Sequence, residues 1–482
     1  MVSFPNQSVK HLGSIRAIRI GSVNTGVTGV ADDDFLMSDD PAKLQGLIEI
    51  AEHYGIRYRI TNGASKTKIT VSGSEIDRNY YRDTTPWNMG GVTIKVVEDN
   101  EHLGQIVSGS NQLEKNIDLR LKKGRGSLFS LLGPAFAYKC LLSPVVKLHL
   151  YRTFTCPIVR SGLSSFTLRQ TSLQPLIILQ RKSLRSILKL SKCSSIPAIH
   201  FLTGELPIEG KIHRDVFSLF FSIWANPNTK IHEIVKYLLK ESTENSRTWS
   251  IFIRQLSVMY GLTDPLHCLQ CDPPQKSVYK ELILTRITAF HEKELRLKAL
   301  SNSNMTYLNV SVSGLRGRRH PALSNLLTTF EVKKSRPHLK MLCEDYYTYE
   351  KRADQSGGSP HCRSCSVTNQ ETQEEIPAEN LSHILTACSS YLDIRDRIFP
   401  EFTLLCQQSK SKPDFHSIQN DKTQLCQFIL DPSSLNLANR ISVSDPQLDS
   451  FFKLSRDYCY SIHSRRMKIL QQKCDQSKIK PR

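Results

Sequence analysis

The sequence predicts an α+β protein, on three observations. Within residues 1–111, short apolar runs alternate with Asp, Asn and Gly turn signals, which is the pattern of hairpins. Beyond residue 111, apolar residues recur at helical spacing in one segment after another. Near the far end, Cys362, Cys365, His383 and Cys388 supply the sulfur and nitrogen ligands of a tetrahedral zinc site. The divisions expected from these shifts are 1–111, 112–204, 205–354, 355–400 and 401–482.

The first region is organised around Asp32 and Asp33. Val27, Val30 and Ala31 precede the pair and Phe35, Leu36 and Met37 follow it, so two strands flank an acidic turn. Two carboxylates on a tight turn suit Mg²⁺, which takes one or two carboxylates plus substrate phosphates. A solvated acidic turn is the plainer alternative. Asp40 and Pro41 then read as the N-cap and first residue of a helix. Leu44, Leu47, Ile48, Ala51 and Tyr54 continue it, and Gly55 is the expected stop. Residues 56–60 read as a strand, 62–68 as a polar turn and 69–71 as the next strand. Gly90 and Gly91 centre a hairpin over 87–97, and 102–107 form a further strand–turn pattern.

The second region is marked by its charge. The chain carries 64 Lys and Arg against 45 Asp and Glu, a net charge of +19, which points to a polyanionic partner. No acidic residue occurs between Asp118 and Glu205, whereas Arg120, Lys122, Lys123, Arg125, Lys147, Arg152 and Arg160 all do. Helices are expected over 119–132, 142–154 and 176–190. In the last, Arg181, Arg185 and Lys189 lie one turn apart, with Lys182 beside them. An ordinary solvated basic face and a membrane-surface helix are alternatives. The acid-free stretch favours a track for the phosphate backbone of RNA or DNA, since the like charges otherwise repel.

The third region reads as helical, notably over 231–240 and 280–299. Cys268 and Cys271 lack a second ligand pair and read as bystander thiols. Arg316, Arg318, Arg319 and His320 cluster beside Gly314 and Gly317, as a surface turn or a phosphate contact. A Gly/Ser-rich joint at 355–360 leads into the zinc ligands, with seventeen residues between Cys365 and His383. The metal there is expected to be structural, tying together a loop too short for its own core. His383 and Cys388 are expected at the start of a helix that continues through Tyr391 and Ile394. Residues 401–482 read as a partly disordered tail.

Met1 opens a polar stretch broken by Pro5, not a secretory segment. No run of 18 apolar residues is present, so neither a membrane span nor a membrane partner is expected. Thirteen cysteines in such a chain argue for reduced thiols and metal ligands, and for an intracellular site, nuclear or cytoplasmic.

The ordered set of Ala31-Asp32-Asp33, a helix, Asn62-x-x-x-Lys66-Thr67-Lys68 and Leu103-Gly104-x-Ile106 resembles the last part of a reverse transcriptase palm. With the basic helical region and the Cys/His cluster, the chain is similar to the polymerase protein of LINE-type (non-LTR) retrotransposons over residues 18–399. The resemblance implies a partial palm of antiparallel hairpins plus a helix, a helical thumb holding the template–primer duplex, and a zinc knuckle. It implies that Asp32 and Asp33 hold catalytic Mg²⁺, that Lys66 assists the leaving pyrophosphate, and that Leu103 and Gly104 grip the primer end. Val30 stands where the family has Tyr or Phe, Asp34 adds a third charge, and the middle gap of the knuckle is longer. The family's fingers and first catalytic aspartate would precede Met1. The expectation is therefore a fragment of an RNA-directed DNA polymerase that binds RNA, DNA or an RNA–DNA hybrid without extending a primer alone. A non-catalytic zinc-knuckle nucleic-acid-binding or adaptor protein is the alternative.

Overall fold

The computed structural model describes residues 18–30, 33–60, 63–84, 86–136, 142–243, 246–302, 305–365, 377–433, 441–442 and 444–478. It is mainly helical with small hairpins, as the α+β reading expects. The chain forms two compact units that interleave along the sequence. The first comprises Met1–Lys122, Arg160–Leu173 and Ile212–Arg286; the second comprises Lys123–Val159, Gln174–Lys211 and Ile287–Arg482.

In the first unit, Val27–Val30 pairs antiparallel with Asp33–Leu36, opposing Val30 to Asp33 and Gly29 to Asp34. A side chain at Gly29 would come within 2.5 Å of Asp34 Oδ1, so glycine makes room for the extra carboxylate. The Pro41–Tyr58 helix follows, with Asp40 accepting from the Lys43 N–H at 3.0 Å. It does not stop at Gly55. Gly55 is buried inside it, and Arg59 ends it in the left-handed conformation (φ 57°), donating to the Gly55 and Ile56 carbonyls. The strand expected over 56–60 is therefore helix. A glycine can stop a helix, but packing against its bare face offsets its weak propensity.

Ile48 from this helix packs with Ile69, Trp87, Met89 and Ile94, and Leu36 and Leu44 close the cluster. The Gly90-Gly91 hairpin forms as expected, Asn88–Met89 against Val92–Thr93, with both glycines at positive φ. Lys68–Ile69 pairs parallel with Lys95–Val96. Two further hairpins, Arg19–Ile20 with Val23–Asn24 and Asp99–His102 with Gln105–Ser108, belong to the same unit, whose later segments are mainly helical, and Trp224 Nε1 donates to the Cys271 carbonyl at 2.8 Å.

The second unit corrects the reading of residues 401–482 as partly disordered. Helices occupy Leu392–Gln408, Phe415–Gln419, Lys422–Leu430 and Leu448–Lys478. Phe402, Phe415, Phe428, Phe451 and Tyr458 are fully buried, with Phe402 and Phe415 stacked at 5.7 Å. Polar residues dominate the outer faces, which is why composition suggested a tail.

This unit also buries neutral histidines. His200 Nδ1 lies 2.7 Å from the Glu205 carbonyl and His338 Nε2 lies 2.9 Å from the Leu430 carbonyl. Burial pushes both down from 6.5 to about 4. Between those values the unfolded chain binds protons that the native chain does not, so stability rises with pH across the window. It is fully present above pH 6.5 and is lost as pH falls toward 4. The effect is on the order of 3 kcal/mol per histidine. Urea midpoints measured at pH 7.5 and pH 5 should fall at the lower value, and His338→Gln should flatten that dependence.

Candidate functional site

Cys362 and Cys365 lie at the end of a loop whose backbone is paired. The Cys362 N–H donates to the Pro377 carbonyl at 2.9 Å, and the Glu379 N–H donates to Pro360 at 2.8 Å. His383 and Cys388 bracket a π turn, His383–Ala387, in which the Cys388 N–H reaches back five residues to the His383 carbonyl at 2.8 Å. Residues five apart on an α-helix point about 140° apart. The wider turn brings the two side chains to the same side, which a continuous helix would not. The helix expected to start at His383 is thus broken at Cys388 (ψ 121°) and begins at Leu392. Asn380 Oδ1 fixes the turn by accepting from the His383 N–H at 2.8 Å.

All four ligand atoms lie within 4.8 Å of one another. The Cys365 and Cys388 sulfurs are 3.4 Å apart, Cys362 and Cys388 3.9 Å, and Cys365 Sγ is 3.3 Å from His383 Nε2. A tetrahedral zinc with Zn–S bonds of ~2.3 Å has S···S edges of about 3.8 Å, so the cluster matches that geometry closely. The three cysteines are buried. Cys365 is held well below the usual thiol range, first by the Cys362 thiol and then by Cys388. Burial opposes protonation of His383, yet the Cys362 and Cys365 sulfurs push it up to about 9. Anionic sulfur is the form that binds metal. This buried Cys3His group can hold a metal ion such as zinc.

The supporting residues were not legible as such. Glu379 is fully buried, 3.7 Å from Cys362 Sγ, and accepts from the Tyr349 N–H at 3.1 Å. Arg466, from the Leu448–Lys478 helix, pairs with it at 2.6 Å. Arg395 Nη2 donates to the Cys388 carbonyl at 2.7 Å. Glu379 lies between Cys365 and His383, in the gap between the two ligand pairs, and Arg466 is 87 residues further on, so no local pattern links them.

Asp32 falls outside the described residues. Asp33 opens its strand and is exposed. Asp34 is raised above the usual carboxylate range, first by partial burial and then by the charge of Asp33. The second hairpin, Asp99–His102 against Gln105–Ser108, lies beside it, with the Phe35 and His102 rings 5.3 Å apart. Leu103 (φ 49°) and Gly104 (φ 75°) form the turn, and Leu103 is exposed. Arg120 Nη2 holds the Gly104 carbonyl at 2.5 Å, and Asn116 bonds both backbone groups of Ile106. Lys66 sits exposed in a turn closed by its own N–H on the Gly63 carbonyl at 2.8 Å.

The basic residues are sorted by packing. Lys122, Lys123 and Arg125 are exposed on the Gln112–Phe136 helix, as are Lys182 and Lys192 further along. Arg181 and Arg185 are half-buried on the Gln170–Leu188 helix, and Arg185 Nη2 donates to the Ser194 carbonyl at 2.7 Å. Lys189 lies one residue beyond that helix, half-buried, at φ 59°. Arg152 pairs with buried Glu205, as does Lys211, and Arg160 pairs with Asp215. Acids from outside the acid-free stretch therefore neutralise part of it. Cys268, pushed up to about 11 by burial and then Asp264, joins no metal-binding group among the described residues.

Among the described residues no helix is long and apolar enough to cross a membrane, and no described cysteine forms a disulfide. The chain matches no family model, and no curated protein matches it.

Proposed function

We propose that the chain is part of a LINE-type reverse transcriptase that binds RNA or RNA–DNA duplex through its basic helices, with zinc in the Cys3His group as a structural ion. The observation that carries this reading is the contact of Phe35 with His102. It sets the Leu103–Gly104 turn beside the acidic hairpin, as a primer grip beside a metal site requires. Arg120 and Asn116 brace that turn from the helix that also exposes Lys122, Lys123 and Arg125. In this reading Asp32 and Asp33 would supply carboxylates for Mg²⁺, and Lys66 would face the departing phosphates. A two-metal clamp stabilises both attacking and leaving oxygens, and carboxylates from one hairpin reach it from one side. Binding, not independent primer extension, is the proposed activity.

The zinc reading as structural rests on the inward setting of the cluster. Four protein groups make up a full tetrahedral set, and three of them, Cys362, Cys365 and Cys388, are buried, whereas catalytic zinc keeps one position for water or substrate.

The test has two arms on the same protein. Affinity for a labelled RNA–DNA duplex should fall steeply with salt, because neutralised phosphates release counterions. Lys122→Glu with Arg125→Glu should weaken binding at least ~10-fold for every sequence alike. Primer extension should be absent, as in an Asp32→Asn, Asp33→Asn control. Salt-independent affinity would sink the binding reading; incorporation lost only in the control would show a complete polymerase site.

A further inference from the structure

We infer that a cavity in the first unit, lined by the Ile208–Trp224 and Lys276–Leu300 helices, binds a small planar aromatic anion. This does not rest on the nucleic-acid-binding reading above. Every residue that lines the cavity falls within Ile212–Arg286, so it belongs to that unit alone.

The two helices build the cavity by their spacing. Arg214, Ser218 and Phe221 share one stripe of the first helix, and Tyr279 and Ile283 share one stripe of the second, with Lys280 beside them. The Phe221 and Tyr279 rings stack with centroids 4.9 Å apart and planes at 28°, which props the helices apart. Ser218, one turn back from Phe221, is too small to fill the space that results, and a cavity of about 370 Å³ remains. Small-molecule sites run from about 300 to 1,000 Å³, mostly apolar, with a few polar groups that orient the ligand.

The apolar wall is set before a ligand arrives. Phe221, Tyr279 and Ile283 are buried. Trp224 backs the aromatic pair, its ring 6.1 Å from Phe221 and 5.8 Å from Tyr279, and its bond to the Cys271 carbonyl holds it there. Little side-chain freedom is left for a ligand to remove. A flat ring gains most from such a wall. Tyr279 is only 8% exposed, and its hydroxyl has no hydrogen-bond partner among the described residues. A polar atom of a ligand would satisfy it.

The rim selects for negative charge. The lining holds two cations, Arg214 and Lys280, and one acid, Asp215. Asp215 is already held by Arg160, and Arg214 approaches it only to 4.0 Å. Lys280 forms no ion pair among the described residues. A carboxylate or phosphate on the ligand would meet both cations, and charge-assisted bonds are the stronger kind. A neutral ring would use the wall and leave the rim unpaired, and a bare anion would use the rim and leave the wall in water.

The experiment is calorimetric titration of full-length protein with AMP, a phosphate on a base, and with 2-naphthoate, a carboxylate on a hydrocarbon. At least one should bind with Kd below ~1 mM. The uncharged partners, adenosine and 2-naphthol, should bind at least ~10-fold more weakly than the corresponding anion. Arg214→Gln with Lys280→Gln should weaken the anion by a similar ~10-fold and leave the uncharged partner unchanged. Ser218→Trp, which fills the cavity from an exposed position, should abolish binding. The control Lys422→Gln with Lys453→Gln removes equal charge from exposed positions in the other unit and should change nothing. Thermal midpoints matching wild type confirm that the variants fold. Tighter binding of AMP assigns the site to phosphates, and tighter binding of 2-naphthoate to carboxylates. The proposal is overturned if neither anion binds, if Ser218→Trp binds as wild type does, or if the uncharged partner binds as tightly as its anion. None of those failures touches the nucleic-acid-binding reading, which duplex affinity tests separately.

Discussion

Cys365→Ser is expected to release the metal and destabilise the second unit. Purified, reduced protein should carry about one zinc per chain, and the variant should carry almost none. Cys365 Sγ lies 3.3 Å from His383 Nε2 and 3.4 Å from the Cys388 sulfur, so its loss leaves three ligands, which hold the ion far less well. The stability at stake is large, because structural zinc contributes on the order of 10 kcal/mol in small domains that lack another core. Here the aromatic core around Phe402 and Phe428 persists, so a lowered thermal midpoint is expected and not complete unfolding. Elemental analysis beside a thermal melt checks both halves. Wild-type protein purified without chelator and found free of zinc would remove the site.

The second large effect is expected at Arg466. Its pair with Glu379 is almost wholly buried, with side-chain exposures of 3% and 0%. Hydrogen bonding to Glu379 holds the guanidinium charged against the pull of burial. Three thiolates and one imidazole around Zn²⁺ carry a net negative charge, and Glu379 adds another beside Cys362. Arg466 offsets part of that charge through its pair with Glu379. Arg466→Met keeps much of the side-chain volume against Tyr346 and Tyr349 but strands a buried carboxylate. Breaking such a pair costs about 3–5 kcal/mol. Adding Glu379→Gln should restore part of that loss, since the stranded charge is removed. Denaturant midpoints for wild type, single and double variants measure it. A single variant as stable as wild type would show that the pair contributes nothing.

The legible parts of this protein were those written in local spacing. The Gly90-Gly91 and Leu103-Gly104 turns demand positive φ, and glycine at fixed offsets announces that. The Asp40-Pro41 start of the first helix is equally local. The four residues of the candidate metal site could be named because thiols and imidazole at those intervals serve little else. Even there the spacing misled slightly, as a five-residue interval suits a π turn and not the helix that was expected.

Charge and burial were a different matter. Residues 118–205 read as an uninterrupted positive stretch, yet Glu205 and Asp215 reach back to Arg152 and Arg160. Gly55 read as a stop, yet it is a buried helix residue. Residues 401–482 read as a tail, yet Phe415, Phe428 and Phe451 make them core. The arginine and phenylalanine cases turn on partners distant in the chain. Backbone preference and turn chemistry act within a few residues, so the order of residues determines the hairpins, the helix starts and the ligand set. Whether an arginine meets phosphate or a carboxylate, and whether a phenylalanine meets water or another ring, depends on which segments fold together, because solvation and ion pairing are set by neighbours in space.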